Sequence, residues 1–205
     1  MAGIYIHIPF CASRCIYCDF YSTTHGSKAE DYTAALINEL RLRADYLKTD
    51  GRIPTIETIY LGGGTPSTLP PTLLRRIFDA IYACYEVDDR AEVTIEANPD
   101  DLSLEKIRIL NSLPVNRLSM GVQTFDDNKL RLLHRRHNGD QAIRAVHNCQ
   151  DAGLDNISID LIYGLPEQTL PDWEKDLDTA LRLQIQHLSA YALIYEQNTP
   201  LWKMR

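Results

Sequence analysis

Short aliphatic and β-branched runs alternate along this chain with longer segments whose apolar residues recur every three or four positions. Six runs read as buried strands: Ile4 to Ile8, Thr58 to Leu61, Glu92 to Glu96, Arg117 to Val122, Ile157 to Tyr163 and His187 to Ile194. Between them, Tyr32, Leu36, Leu40 and Leu47 make one helical stripe, and Leu74, Ile77, Ile81 and Tyr85 a second. Ala142, Ile143, Val146 and Cys149 make a third, and Trp173, Leu177, Ala180 and Leu181 a fourth. Ser103 has the chemistry of an N-cap ahead of Leu104, Pro71 suits a first helical turn, and Gly153 suits a C-terminal stop. Strand followed by helix, repeated up to six times, calls for right-handed crossovers and a parallel sheet. Periodicity alone leaves open whether that sheet is doubly wound or curled into a whole or partial barrel.

The polar punctuation is one-sided. Cys11 follows the first predicted strand, Gly62-Gly63-Gly64-Thr65-Pro66 the second, Asn98-Pro99 the third, Gln123 the fourth and Gly164-Leu165-Pro166 the fifth. In parallel α/β folds the carboxyl ends of the strands are where ligands bind, so these residues mark one functional edge.

Composition narrows the picture only in part. The chain has 205 residues, 44% hydrophobic and 24% charged, a balance that suits one domain with a substantial core. A net charge of -7 supplies no basic field for a phosphate backbone, which argues against nucleic acid as the main partner. No apolar run nears the roughly 20 residues of a membrane-spanning helix. No basic flank or cleavage site precedes Ile4-Tyr5-Ile6-His7-Ile8, and a cytoplasmic location is expected. Five cysteines, an odd number without an export signal, fit reduced thiols or metal ligation better than a disulfide framework.

Three of those cysteines, Cys11, Cys15 and Cys18, have the spacing C-x3-C-x2-C. A structural zinc wants four protein ligands, and the remaining Cys84 and Cys149 each fall in a helical stripe, where a small buried thiol is the ordinary reading. A redox pair would use Cys15 and Cys18 and leave Cys11 idle. The third option is a cubane iron–sulfur cluster held by three thiolates, so that one iron keeps an open position. This spacing on a loop after the first strand of a βα barrel resembles the radical S-adenosylmethionine enzymes. In that superfamily the open iron chelates the amino and carboxylate groups of S-adenosylmethionine, and an electron from the cluster cleaves it to a 5'-deoxyadenosyl radical.

Further strings extend the likeness: His7-Ile8-Pro9-Phe10-Cys11, Tyr60-Leu61-Gly62-Gly63-Gly64-Thr65-Pro66, Ile95-Glu96-Ala97-Asn98-Pro99, Leu118-Ser119-Met120-Gly121-Val122-Gln123-Thr124-Phe125 and Asp160-Leu161-Ile162-Tyr163-Gly164-Leu165-Pro166. Together they resemble the oxygen-independent coproporphyrinogen III oxidase family, and within it the haem-chaperone branch. The resemblance implies an α/β fold, a partial (β/α)6 TIM-like barrel of parallel strands, with residues 1–205 as the radical S-adenosylmethionine core domain and the family's C-terminal domain absent. It implies a [4Fe-4S] cluster on Cys11, Cys15 and Cys18, and S-adenosylmethionine held by Tyr5, Tyr17, Gly63, Gly64, Thr65, Glu96, Gln123, Arg135, Asp160 and Ile194. Core packing is the plain alternative for Tyr5. For Arg135 it is a solvated basic face with Arg131, His134, Arg136 and His137, or a slip of the match to Arg136.

Oxidases of the family carry a fourth cysteine two residues after the third, where this chain has Phe20, and a segment ahead of the first strand. The resemblance therefore implies haem as cargo, with haem-accepting proteins and an electron donor as partners. Oxidation of coproporphyrinogen III in porphyrin biosynthesis and a structural metal-binding interaction module remain alternatives. The chaperone branch has a His-Asn-x-x-Tyr-Trp motif in a C-terminal domain, so a longer native protein is expected. His7, His25, His134, His137, His147 and His187 are haem-ligand candidates only in that imidazole can bind iron.

Overall fold

Each predicted strand forms, and each pairs with its neighbour in sequence. The structure, a computed structural model, describes residues 2–49 and 51–205. Strands β1 (Ala2–Ile8), β2 (Ile56–Gly63), β3 (Val87–Ala97), β4 (Arg117–Gln123), β5 (Ile157–Tyr163) and β6 (His187–Ala192) lie in that order in one sheet. Every pairing is parallel. The α/β class and the strand succession of a partial (β/α)6 barrel follow, with β1 and β6 as the sheet's edges.

The crossovers are helices α1 (Ala29–Leu42), α2 (Pro71–Cys84), α3 (Leu104–Asn111), α4 (Asp127–Leu132), α5 (Gly139–Asp151) and α6 (Leu170–Arg182). Their boundaries follow local chemistry. Pro71 opens α2, where its missing N–H has no partner to lose. The Ser103 hydroxyl accepts from the Lys106 N–H at 3.2 Å at the start of α3. Asn138 with Gln141, and Thr169 with Asp172, close reciprocal capping boxes on α5 and α6. The first stripe is corrected at its end: α1 stops at Leu42, so Leu47 packs on the core from the following turns rather than from the helix. Helix α4 has no periodic signature because six residues cannot complete two turns. Asp126 holds it instead, accepting from the N–H groups of Asn128 and Lys129 at 2.8 and 3.0 Å.

Strands β2 to β5 are buried as expected, Thr94, Ser119 and Ser158 included, but only one face of the sheet is apolar, and the expectation fails at β6, where no side chain is buried. Ile59, Leu61, Ile95, Leu118, Met120, Val122, Ile157, Ile159 and Leu161 are wholly buried and join the helices in one core cluster. Truncating such a side chain, Ile95→Ala for example, costs about 2–5 kcal/mol. The opposite face is polar, and register lines its residues up across the strands. Tyr60 stands opposite Thr94 and Thr94 opposite Arg117. Glu96 stands opposite Ser119, Ser119 opposite Ser158, and Asp160 opposite Ser189. Among the described residues no helix is long and apolar enough to cross a membrane.

Candidate functional site

The cysteine loop leaves β1 and is pinned at its base and its tip. The Cys11 N–H donates to the Thr23 carbonyl at 2.9 Å, and the Thr23 N–H donates back to Pro9 at 2.7 Å. At the tip, the Ile16 N–H reaches the Leu133 carbonyl at 3.4 Å and the Ile16 carbonyl accepts from Leu201 at 3.0 Å. Ile16 is buried, and its neighbours Cys15 and Tyr17 are half-buried. Tyr17 packs against Leu133, Ile162 and Leu165, and burial holds its phenol protonated far above the usual range.

The three thiols are free and half-buried. The Thr65 hydroxyl donates to Cys11 Sγ at 3.7 Å, and Arg135 Nη1 donates to Cys15 Sγ at 3.3 Å. Burial raises the Cys18 thiol, with the Phe20 N–H acting against it. Among the described residues no three His, Cys, Asp or Glu groups converge on a point where one metal ion would sit. Separated thiols of one loop, two of them facing hydrogen-bond donors, fit a cluster in which each iron takes its own thiolate.

One cavity of about 770 Å³ opens over the polar face of the sheet. Cys11, Cys15, Cys18 and Tyr17 line it from the loop, and Gly63, Gly64 and Thr65 from the end of β2. Glu96, Gln123 and Asp160 reach it from β3, β4 and β5, Arg135 from the segment after α4, and Ile194 from beyond β6. Tyr5 is not among the lining residues. It is 60% exposed on β1, so core packing does not explain it; its ring stacks on Tyr60 at 6.0 Å, and its hydroxyl bonds His7 Nδ1 at 3.2 Å.

Of the carboxylates on the polar face, Glu96 and Asp160 line the cavity. Glu96 accepts from the Tyr60 hydroxyl at 2.8 Å and from the Gly63 N–H at 2.9 Å. Burial raises its pKa, and those two bonds oppose the rise. Asp160 accepts from Ser119 at 3.2 Å; burial raises it too, with Ser189 and Ser119 opposing. Gln123 ends β4 with a φ of 72°, a left-handed backbone that is uncommon outside glycine.

The basic run resolves into separate tasks. Arg135 is turned inward, its Nη2 donating to Asn98 Oδ1 and the Gly121 carbonyl while Nη1 holds Cys15; its Nε is buried without a partner. It is no solvated face. Arg136 instead pairs with Asp100 at 2.6 Å and Asp101 at 2.7 Å, and exposed Arg131 bonds Asn128.

The glycine run owes its shape to the chain itself. A Cβ on Gly64 would meet Phe10 O and Pro9 C at 2.8 Å and Ile8 O at 2.9 Å; one on Gly63, where φ is 109°, would meet the His7 ring at 2.5 Å. The glycines that the resemblance assigns to the cofactor are thus also where the start of the cysteine loop packs closest.

The sequence marked Asn98 only as a residue of the functional edge and gave no role to Tyr60, Arg117, Ser119, Ser158 and Ser189; all six line the cavity. The signal for three of them is the strict alternation in Arg117-Leu118-Ser119-Met120-Gly121 and Ser158-Ile159-Asp160, which puts every second residue on one face.

A family model described as the Radical SAM superfamily matches residues 5–180. The chain is 40% identical over 206 residues to the heme chaperone HemW of Bacillus subtilis (strain 168), covering 100% of this chain and 53% of that protein. It is 39% identical over 201 residues to HemW of Escherichia coli (strain K12), covering 96% and 52% respectively. The chain thus spans about half the length of these relatives. Among solved structures, coproporphyrinogen III oxidase (HemN) from Escherichia coli, described as a radical SAM enzyme, superposes with a TM-score of 0.85 at 29% identity, over 95% of this chain and 44% of that one.

Proposed function

Because the chain belongs to the Radical SAM superfamily, we propose that residues 1–205 are the core domain of a haem chaperone of the HemW kind, which binds haem and passes it to acceptor proteins. The observation that carries the chaperone reading is Phe20. It lines the cavity beside the three thiols, 69% exposed, at the position where the family's oxidases place a fourth cysteine. A phenyl ring offers neither ligand nor proton; it offers apolar surface to a flat, apolar cargo. The likeness to HemW from two organisms supports the same choice over coproporphyrinogen oxidation.

In this reading Cys11, Cys15 and Cys18 would hold a [4Fe-4S] cluster, and the cavity beside them would hold S-adenosylmethionine. When bound, the cluster supplies one-electron reducing power. The chain's own residues position and shield. Glu96 and Asp160, raised by burial, accept from ammonium or hydroxyl groups of the cofactor, and Gln123 offers an amide that does either job. Tyr17 stands next to the adenine, and Ile194 contacts it through its backbone. Tyr5, outside the cavity lining, acts through Tyr60 and His7. Arg135, already engaged by Cys15, Asn98 and Gly121, stands at the cluster end of the site. Haem-accepting proteins and an electron donor are the proposed partners, and the cytoplasm the proposed location.

The test is anaerobic reconstitution of the full protein with iron and sulfide, then titration with haem, then incubation with S-adenosylmethionine, reductant and coproporphyrinogen III. Loading that is lost in Cys15→Ala, with stoichiometric haem uptake and no turnover, is expected. Appearance of protoporphyrinogen IX sinks the chaperone reading, and loading unchanged in Cys15→Ala sinks the cluster.

A further inference from the structure

Asn98 is the first residue after β3, and its backbone carbonyl accepts from the Asp101 N–H at 3.0 Å, which fixes the turn that follows. Its side-chain amide is used at both ends. Nδ2 donates to Thr65 Oγ1 at 3.2 Å, and Oδ1 accepts from Arg135 Nη2. Each of those partners passes a hydrogen bond on to a different cysteine: Thr65 Oγ1 to Cys11 Sγ at 3.7 Å, and Arg135 Nη1 to Cys15 Sγ at 3.3 Å.

The directions are chemically constrained. A threonine hydroxyl has one proton; by accepting from Asn98 it keeps that proton free for Cys11. A guanidinium is a rigid fork, so holding Nη2 between Asn98 and the Gly121 carbonyl aims Nη1 at Cys15. One amide therefore orients donors on two of the three clustered thiols, which stand on a loop from a different strand.

We propose that Asn98 is a positioning residue that sets the reduction potential of the cluster, through Thr65 onto Cys11 and through Arg135 onto Cys15. The inference rests on the cluster reading above. Hydrogen bonds to ligand sulfurs draw electron density from the cluster and favour its reduced, more negative state. Loosening them moves the midpoint to more negative potential.

The experiment is an anaerobic redox titration of the reconstituted full protein, followed by electron paramagnetic resonance, on the parent, Asn98→Ala, Asn98→Asp and Thr65→Val. At a fixed potential Asn98→Ala is expected to lower the ratio of reduced to oxidised cluster about tenfold, which is about 59 mV for a one-electron couple. Asn98→Asp keeps the size and the Arg135 contact, but its carboxylate takes the Thr65 proton away from Cys11; it serves where the alanine variant does not fold. Its shift is expected to shrink in the Thr65→Val background, where no hydroxyl is left to divert. A shift of equal size in both backgrounds reports the added charge alone and overturns the inference, as do parental midpoints in the Asn98 variants. A parent that takes up no iron and sulfide overturns the cluster reading together with this inference, whereas a loaded parent with unmoved variants overturns the inference alone.

Discussion

Gly64 shows how little room the cysteine loop leaves. Its N–H donates to Ile8 at 2.8 Å and the next N–H, of Thr65, donates to Phe10 at 2.8 Å, so the end of β2 is zipped to the start of the loop. The atoms a Cβ would strike are backbone, which cannot swing aside. Gly64→Ala is expected to destabilise the fold by about 1–3 kcal/mol, read as a lower denaturant midpoint at unchanged slope. The triple glycine was legible in the sequence as part of the functional edge, but the segment that packs against it was not, because Pro9-Phe10 lies more than fifty residues away in the chain. Of the two remaining thiols, both expected to be buried, Cys84 is only half-buried. Cys149 is wholly buried in α5, and burial pushes its thiol up to about 12. Iodoacetamide at pH 8 is expected to label the half-buried Cys84 while leaving Cys149 unmodified by mass spectrometry; labelling of Cys149 first would mean that α5 opens readily.

At the scale of elements, caps written in the sequence do form, and their partners across the fold are new. Helix α6 carries Asp176, which is buried and accepts from the Thr124 hydroxyl at 2.7 Å and the Phe125 N–H at 2.8 Å. This ties α6 to the turn that leads from β4 into α4. Asp176→Ala removes the acceptor and strands both donors, at a cost of about 2 kcal/mol in chemical denaturation; Asp176→Asn, which keeps one acceptor oxygen, is expected to lose less. A second tie joins the turn after β3 to the segment after α4. Burial pushes the Asp100 carboxyl up, but pairing with His137 at 3.7 Å and Arg136 at 2.6 Å outweighs it and holds the pKa below the usual carboxylate range. A depressed carboxylate contributes stability that is fully present above its unfolded pKa of about 3.9 and is lost as pH falls through the folded value. The difference in stability between the parent and Asp100→Asn is therefore expected to shrink as pH falls below about 3.9. A difference that is flat through pH 3 would rule the pairing out. The strands were legible as apolar runs; their polar side was present in the alternation of β4 and β5, yet a pattern cannot say whether a polar face meets water or lines a cavity.

For the whole molecule, sheet order decides both stability and site. β2 to β5 each pair on two sides, while β6 pairs with β5 alone and leaves most of its side chains half-buried or exposed. Backbone amides of β6 are expected to exchange with deuterium ahead of those of β3 and β4; equal protection would mean that the edge is covered in solution. The same order brings the ends of β2, β3, β4 and β5 around one cavity with the cysteine loop at its side.

The sequence by itself determined which elements form and on which edge the chemistry gathers. Apolar periodicity and cap residues act over a few positions, and C-x3-C-x2-C is a local spacing. Only the tertiary structure decided that Arg135 faces Cys15 rather than solvent, that Asn98 joins Thr65 to Arg135, and that Tyr5 stands outside the cavity. Those contacts join strands far apart in the chain, and their geometry is set by parallel register and by the packing of the opposite, apolar face. A hydrogen bond at 3 Å depends on that packing as a whole, which no local pattern encodes.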